Sequence, residues 1–405
     1  MIALGPSNPK DLGAAELPLY VCSGRVYSIS RFASGNLDVL DNGPERDMVG
    51  AMSDHLAREN DVPAALGRCL CRSEEFATSA RPHCLATRSG ARSAYWQPHN
   101  FKLKGCRPVL DASQYPLERL LFGSTAIKHA HIPFGILSRQ GVMREILAYC
   151  FLLKHGIPPH GTPVCVYEYL QHGRSHGFCL VSKTLGETRL EEFVEYPELT
   201  VADLIAARTA ALRGGQPWGS ELNLRTLNIW WHAEQKSRLL IAMHFAGGHR
   251  GILNSNIGND VVVLAADHRS PAIYLCDFDS FTVLAVPDRP SWDFLKAFVL
   301  QCLIEVVKGS VSILEYLEMP ENLTPAERGG TLSRVYFAKS SLWRAYERLF
   351  FAGARTRGWD AVLVQQAVED AVRSEALADV LGECVLNSHS LRMLDRNRGV
   401  YYPHN

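Results

Sequence analysis

The chain changes character near its middle, from short alternating stretches to longer stretches with helical spacing. Alternation of apolar and polar residues predicts strands, because successive side chains of a strand point to opposite faces. Apolar residues that recur every three or four positions predict helices. By these criteria the first half contains a short hairpin at 23–43, a helix at 46–60, a strand from Trp96 to Leu103 that ends at Gly105, a helix at 138–156, and a hairpin formed by 162–170 and 176–185.

The second half is mainly helical, with one interruption. Helical spacing covers 188–196, 200–213 and 225–248, and it returns from Ser291 almost to the end. The interruption holds a loop, a strand, a turn and a second strand at 272–278. This order predicts an α+β, protein kinase-like fold of two lobes, with a small sheet lobe containing one helix and a large helical lobe. We expect an N-terminal extension of unknown role (1–95), a small lobe (96–186) and a helical large lobe with the catalytic loop (187–405).

Composition narrows the classes of protein that fit. The chain has 405 residues, 47% of them hydrophobic, which is enough for a large core. Its 42 basic residues balance 42 acidic ones, so we expect no nucleic-acid or membrane partner. We find neither a leader pattern nor a run of about 18 apolar residues, which predicts a cytoplasmic protein. The 11 cysteines are scattered and odd in number, which predicts reduced thiols in the core.

The interruption in the helical half carries the candidate chemistry. Its loop matches the kinase pattern H-R-D-L-x-x-x-N in residue type at every position but one, with Ile252 at the Leu position and Gly251 in place of the proton-accepting Asp. By that pattern Asn256, together with Asp277 at the end of the next strand, holds Mg²⁺ or Mn²⁺ against the phosphates of ATP. Asp279 follows where kinases have a glycine. The pattern thus predicts an ATP site that lacks the usual base.

A second feature points to the same chemistry. Kinase-like sites use a lysine near the end of a small-lobe strand and a glutamate on the single helix to orient it. The stretch "FKLKG" offers Lys102 and Lys104 on one strand face, and Glu145 lies at the edge of the apolar face of the helix at 138–156. A carboxylate beside an apolar face favours a cationic partner, so we expect Glu145 to pair with a strand lysine.

Three stretches of the chain resemble the selenoprotein O family of kinase-like adenylyltransferases: "KLKGCRP", "VMREILAYCFLLKHGIPPHGTPV" and "HRGILNSNI". The resemblance runs from about residue 97 to about residue 285, and it extends distantly to bacterial kinase-like glutamylases. It implies that ATP binds turned around relative to kinases, so that AMP is transferred. By position it implies that Lys104 and Glu145 form the lysine–glutamate pair and that Asn256 and Asp277 bind the metal.

The same resemblance implies further nucleotide contacts. Lys183 and Arg189 correspond to basic residues that touch the phosphates. From the loop pattern itself we expect His249 and Arg250, with which the loop begins, to bind the cofactor. The family has an acidic residue where this chain has Ser255, and serine is not a general base near neutral pH. A carboxylate acceptor needs no base, because it is already ionised. This favours an acyl-adenylate that an amine attacks, as implied for the glutamylases.

Several functions fit these residues. The first is AMP transfer to an acceptor, either a protein or a small-molecule carboxylate with an amine. The second is a pseudokinase scaffold without activity, although retention of the ATP-binding set argues against it. The third is a small-molecule phosphotransferase in which Asp279 acts as a displaced base.

Overall fold

The computed structural model describes residues 17–58, 62–88, 93–108, 135–184, 224–250, 260–263, 272–318, 341–374 and 377. These residues form an eight-stranded antiparallel sheet, short strand pairs and several helices, so the predicted α+β class is confirmed. The helices predicted at 188–196 and 200–213 lie outside the described residues. No described helix is both long enough and apolar enough to cross a membrane.

The strands, in chain order, are β1 (Leu17–Val21), β2 (Gly24–Ser28), β3 (Leu70–Cys71), β4 (Cys84–Arg88), β5 (Ser93–Trp96), β6 (Phe101–Lys104), β7 (Gly161–Gln171), β8 (Arg174–Thr184), β9 (Gly248–His249), β10 (Asp260–Val263), β11 (Ala272–Leu275) and β12 (Thr282–Val283). The α-helices are α1 (Ile29–Ser34), α2 (Gly43–Ala51), α3 (Ser53–Arg58), α4 (Arg139–Lys154), α5 (Leu224–Phe245), α6 (Trp292–Glu318), α7 (Ser341–Thr356) and α8 (Ala361–Val372). Short 3₁₀ turns cover Leu37–Val39, Ala64–Leu66, Glu74–Phe76 and Gln97–His99.

The chain folds into two compact units. The first, which we call the sheet unit, takes the described residues up to Thr184 together with 277–283. The second, the helical unit, takes the described residues from 224 to 276 and from 284 onward. The chain therefore returns to the sheet unit for seven residues after β11. The predicted lobes are contiguous in sequence, so they do not include this return of 277–283 to the sheet unit.

The sheet unit is built on one antiparallel sheet with the strand order β2-β7-β8-β6-β5-β4-β1-β3. Its longest hairpin, β7–β8, was predicted and is confirmed. The two turn residues His172 and Gly173 both have positive φ, at 49° and 74°. A two-residue hairpin loop of this type requires positive φ at both positions, because its twist then matches that of the strands.

Two predictions about strands were wrong. The strand expected from Trp96 to Leu103 is a hairpin of β5 and β6, because Asn100 takes a left-handed conformation (φ 56°), which asparagine tolerates. The hairpin expected at 23–43 contains one strand, β2, and then helix α1. The side chain of Ser28 caps this helix by accepting a hydrogen bond from the Arg31 amide.

The described residues of the expected N-terminal extension belong to the sheet unit. Strands β1 to β4 continue the sheet outward from β5, and the predicted boundary at 95/96 falls within β5. Cysteines from both sides of that boundary share one core, namely Cys22, Cys69, Cys71, Cys106, Cys165 and Cys179. The ten described cysteines are free, and all of them are buried except Cys84, as the composition predicts.

The two faces of the sheet have different roles. Leu103 and Val181 are cross-strand partners in β6 and β8, and both belong to the buried core on one face. Lys104 pairs with Leu180, so it lies on the opposite face, since side chains alternate along a strand. The predicted helix α4 contacts β7 and β8 and buries most of its length. Its N-terminus is capped by Ser138, whose side chain accepts a hydrogen bond from the Gly141 amide.

The helical unit has an aromatic core. Phe245 of α5 contacts Phe298 of α6 and Phe350 of α7, with ring centroids 5.8 and 5.3 Å apart. Trp359, just before α8, lies 5.3 Å from the Phe245 ring. The strands β10 and β11 pair antiparallel, from Asp260 opposite Leu275 onward, so the hairpin predicted in the helical half is present.

Candidate active site

Lys104 is the last residue of β6, and its surroundings fix its position. Its side chain is 11% exposed. The strand stops at Gly105, where φ is 87° and an added Cβ would lie 2.7 Å from the Phe178 carbonyl oxygen. Only glycine allows this close approach of two backbones without strain. The strand therefore ends with a lysine amine on the face of the sheet away from the cysteine-rich core.

Glu145 reaches Lys104 from helix α4. The Lys104 Nζ atom donates to Glu145 Oε1, so the pairing expected from the sequence is present. The same oxygen accepts a hydrogen bond of 2.8 Å from the Phe278 amide. Glu145 lies between Arg144 and Ile146 in α4, and both of these neighbours are buried. One carboxylate thus orients both the lysine and the backbone of the 277–283 segment.

Asp277 and Asp279 complete the group from a tight turn. The Phe281 amide donates to the Phe278 carbonyl oxygen at 2.9 Å and closes this turn. Asp277, which precedes it, has a φ of 67°, an uncommon conformation for a residue other than glycine. Its carboxylate contacts Lys104 Nζ, and Asp279 Oδ2 lies 3.8 Å from the same atom. Such backbone strain is concentrated at functional sites in proteins.

We call Lys104, Glu145, Asp277 and Asp279 the Lys104 cluster. Its one ammonium group faces three carboxylates, and the four side chains are only 11 to 21% exposed. Burial raises the pKa of Glu145, and the charges of Asp277 and Asp279 raise it further, against the opposing effect of Lys104. When all three carboxylates are ionised, the cluster carries excess negative charge. A bound cation would compensate this charge.

The cluster fits a hard divalent cation. Mg²⁺ prefers carboxylate oxygens, and it is bound through one or two of them together with substrate phosphates. Asp277 and Asp279 offer such oxygens from neighbouring positions of one turn. The other predicted ligand, Asn256, lies outside the described residues, as do Gly251, Ser255 and Arg189.

Two further basic side chains of the sheet, Lys102 and Lys183, have different placements. Lys102 is buried and lies on the same face of β6 as Lys104, two residues earlier. Lys183 pairs with Phe101 across β6 and β8, which places it on the opposite face from Lys104, and it is exposed. The structure does not bring Lys183 to the Lys104 cluster.

His249 and Arg250 lie in the helical unit, and both are buried, at 1% and 0% exposure. His249 Nδ1 and Glu305 Oε1 are 3.2 Å apart, and Arg250 Nη1 donates to the Cys276 carbonyl oxygen at 3.2 Å. These contacts run to protein groups of the same unit. They hold His249 and Arg250 within the helical unit, and the cofactor contact expected of these two residues stays a prediction.

Glu305 joins three elements of the helical unit. Its second oxygen lies 2.7 Å from His244 Nε2, and His244 Nδ1 lies 3.2 Å from the Tyr346 hydroxyl. Burial lowers the pKa of His244. We therefore assign a neutral His244 ring that donates from Nε2 to Glu305 and accepts from Tyr346 at Nδ1. This arrangement satisfies every polar atom of the His244 ring.

Around Glu305, a ring nitrogen of His244, a ring nitrogen of His249 and the sulfur of Cys302 lie within 4.8 Å of one another. Such a set has the ligand types of a zinc site, in which a cysteine binds as the thiolate. Burial raises the pKa of Cys302 well above its usual value, which favours the thiol. Both nitrogens of His244 are already hydrogen-bonded. Hydrogen bonding accounts for this group, apart from His249 Nε2, which lacks a partner among the described residues.

Sequence reasoning missed a second buried ion pair beside the Lys104 cluster. Arg144 Nη1 donates to Glu45 Oε1 at 2.8 Å, and the Glu45 side chain is fully buried. One local signal was present, because Asn42 and Glu45 have the spacing of a helix N-cap and its third residue. Their link to Arg144 spans 99 residues of sequence, which no local pattern indicates.

Comparison of the chain with protein-family models, with curated proteins and with solved structures gives no match in any of the three. Any functional assignment therefore rests on the site itself. That site is one buried lysine in contact with carboxylates from a helix and from a strained turn. Groups of this kind are suited to a phosphate group and a divalent cation.

Proposed function

We propose that the chain is an ATP- and Mg²⁺-dependent enzyme of kinase-like fold that transfers AMP. The acceptor is a protein group or a carboxylate, and in the second case the acyl-adenylate serves amide bond formation. The observation that carries the proposal is the convergence of Glu145 and Asp277 on the single amine of Lys104. A strand lysine, a helix glutamate and a turn aspartate are the parts with which kinase-like enzymes hold ATP.

Each residue has a distinct part in the proposal. The Lys104 ammonium binds phosphate oxygens, and Glu145 keeps the amine at the end of β6 by contact with Nζ. Glu145 also fixes the turn through the Phe278 amide, at 2.8 Å. Asp277 and Asp279 hold Mg²⁺, for which Mn²⁺ is an alternative. When bound, the ion neutralises the charge of the phosphates and makes a phosphorus atom more easily attacked.

A carboxylate acceptor, rather than a hydroxyl, is favoured by the acidic residues that the sequence lacks. Gly251 stands where kinases have the aspartate that accepts the hydroxyl proton, and Ser255 replaces the acidic residue of the resembling family. A carboxylate acceptor loses no proton in the first step, so neither base is needed. The resemblance to the selenoprotein O family supports attack at the α-phosphorus.

A second candidate is transfer of the γ-phosphate to a small molecule. The observation that favours it is the position of Asp279, whose Oδ2 lies 3.8 Å from Lys104 Nζ with 15% of its side chain exposed. In that reaction Asp279 would accept the proton of the attacking hydroxyl. The two candidates differ in the phosphorus atom that is attacked.

The deciding experiment incubates the protein with Mg²⁺ and with ATP labelled separately at the α- and γ-phosphates. We expect α-label to be transferred, or pyrophosphate to be released on addition of a carboxylate and an amine. The variant Asp277→Asn should lose this activity, whereas Asp288→Asn, at a side chain that is 94% exposed, should keep it. Transfer of γ-label supports the phosphotransferase. If neither label moves, the scaffold hypothesis replaces both enzymes.

A further inference from the structure

The Glu45–Arg144 ion pair is among the most deeply buried polar contacts of the sheet unit. Glu45 is 0% exposed and Arg144 is 3% exposed. Arg144 also binds Asp41, which is near the surface. A charge with so little access to water is retained only when it is paired and hydrogen-bonded, and this pair meets both conditions.

Both members of the pair also bind the turn that carries the candidate aspartates. Arg144 Nη1 donates to the Phe281 carbonyl oxygen at 2.9 Å, and the Val283 amide donates to Glu45 Oε1 at 3.0 Å. Glu145, the next residue of α4, accepts from the Phe278 amide at 2.8 Å. Two consecutive helix residues therefore hold the two ends of the 278–281 turn, and Glu45 holds the strand that follows it.

Glu45 is fixed independently of the turn. It is the third residue of α2, whose N-cap Asn42 accepts a hydrogen bond from the Glu45 amide at 3.0 Å. Its second carboxylate oxygen accepts from the Asp41 amide at 3.1 Å. One carboxylate oxygen, Oε2, is thus hydrogen-bonded to the backbone just before α2. The other, Oε1, accepts hydrogen bonds from Arg144 and from the Val283 amide.

The turn needs such support. Asp277 has the left-handed backbone conformation already described, and a residue in this region keeps it only where surrounding contacts determine it. The ring of Phe281 packs on Phe151, with centroids 5.2 Å apart, but this contact fixes the far end of the turn alone. Arg144 donates to the carbonyl oxygen of Phe281, and Glu145 accepts from the amide of Phe278, so these two residues fix the turn backbone. Glu45 accepts from the Val283 amide and fixes the strand that follows.

We infer that Glu45 and Arg144 are positioning residues of the candidate active site, which hold the 277–283 segment so that Asp277 and Asp279 face Lys104. The catalytic half of this inference rests on the proposed function, and the structural half does not. It gives the expected N-terminal extension a role, because Glu45 comes from that region. The competing explanation is that the pair contributes only to general stability of the sheet unit.

The chain offers matched variants to separate these explanations. Glu45→Gln keeps the shape of the side chain and removes its charge, and Arg144→Lys keeps a positive charge and removes the forked geometry. The control is Asp38→Asn. It breaks an ion pair of 3.5 Å with Arg139, between the same region and the same helix, in which the side chains are 69% and 49% exposed.

The first test is hydrogen exchange on the full-length protein without nucleotide. In Glu45→Gln and Arg144→Lys we expect the amides of 277–283 to exchange at least about tenfold faster, while amides of β7 and β8 keep their rates. Asp38→Asn should leave both regions unchanged. Unchanged exchange at 277–283, or an equal increase over the whole sheet unit, would overturn the inference.

The second test uses the α-label assay on the same variants. If the wild type transfers the label, Glu45→Gln should lower activity about 10- to 100-fold and raise the Mg²⁺ concentration needed for half-maximal rate, as loss of support behind metal ligands does. Arg144→Lys should keep part of the rate. An active wild type with unchanged Mg²⁺ dependence in Glu45→Gln refutes the positioning role and leaves the proposed function standing. An inactive wild type refutes the proposed function, and hydrogen exchange still decides the positioning role.

Discussion

Glu145 is held between opposing electrostatic effects. Burial and two neighbouring aspartates disfavour its charge, whereas Lys104 and the Phe278 amide favour it. The net result is a raised pKa, so ionisation of Glu145 costs free energy in the folded protein that it does not cost in the unfolded chain. In the proposed enzyme this free-energy cost has a functional reason, because an ionised Glu145 orients the amine of Lys104.

The raised pKa of Glu145 predicts a pH-dependent contribution to stability. A group whose pKa is higher in the folded state contributes fully below its unfolded pKa of about 4.3, and the contribution is lost as pH rises through the folded pKa. We therefore expect wild type to lose stability relative to Glu145→Gln as pH rises from about 4 toward neutrality. Denaturant unfolding of both proteins across this pH range measures the difference.

Lys104 provides the control for this prediction. In the background of Lys104→Met the opposing positive charge is absent, so the pKa of Glu145 should rise further. In that background, the change in unfolding free energy caused by Glu145→Gln should depend more strongly on pH. This pH dependence should also continue to a higher pH than in the presence of Lys104. A difference that grows in favour of wild type with rising pH would contradict the assignment.

The elements that the sequence predicts well are those whose signals are local. Helix α4 has a capping serine, an apolar face and a following Gly156, and the β7–β8 hairpin has alternation on both sides of a turn containing Gly173. The Lys104–Glu145 pairing was expected for the same reason, since each residue has a definite place on its own element. Patterns of this length fix an element without knowledge of its neighbours.

What the sequence did not predict depends on distant contacts. The β5–β6 turn contains Pro98 and Asn100, which the alternation around it concealed. The pairing of Glu45 with Val283 joins residues 238 apart. The return of 277–283 to the sheet unit has no local signal, because it is determined by burial of Phe281 and by the Arg144 hydrogen bond. The spacing of apolar residues indicates which face of a helix or strand is buried, but it does not identify the element that packs against that face.

At the scale of elements, we expect the Glu305 carboxylate of α6 to stabilise the helical unit, since it contacts His244 of α5 and His249 of β9. Burial raises the pKa of Glu305, but His244 and His249 outweigh this and lower it, so the group is ionised in the fold. Glu305→Gln keeps the shape and removes charged hydrogen bonds, which should reduce the free energy of unfolding by about 2–3 kcal/mol at neutral pH. Urea unfolding of the full-length protein measures this loss.

The pH dependence of that loss has a definite sign. A lowered pKa contributes stability above the unfolded pKa of about 4.3, and this stability is lost as pH falls toward the folded pKa. The gap between wild type and Glu305→Gln should therefore narrow in acid. The control is Gln301→Ala, which removes a neutral donor 3.2 Å from Glu305 Oε1 and should cost about 1 kcal/mol. Equal losses in the two variants would refute the role of the charge.

At the scale of the whole molecule, sequence order and spatial grouping differ. The sheet unit takes its lysine from β6, its glutamate from α4, and its aspartates from a segment that follows β11 of the helical unit. The Lys104 cluster therefore depends on chain regions 173 residues apart. Ligand binding at the cluster would stabilise the arrangement of all these regions, which makes the stability of the full chain a measure of site occupancy.

Mg²⁺ and ATP together should stabilise the full-length protein against unfolding. At a free ligand concentration about 100 times Kd, binding to the folded state alone adds about 2.7 kcal/mol. We expect this gain to need both components, because Asp277 and Asp279 bring negative charge toward the phosphates unless a cation is present. Thermal unfolding with ATP alone, Mg²⁺ alone and both measures it.

The comparison of two variants makes this result specific to the Lys104 cluster. Asp277→Asn should lose the joint effect of Mg²⁺ and ATP, since it removes a carboxylate ligand while leaving a side chain of the same size. Asp293→Asn, at an exposed position of α6 with 92% side-chain exposure, should show the wild-type shift. Equal shifts in the two variants would place nucleotide binding elsewhere on the chain. Absence of any shift in wild type would favour a scaffold that binds no nucleotide.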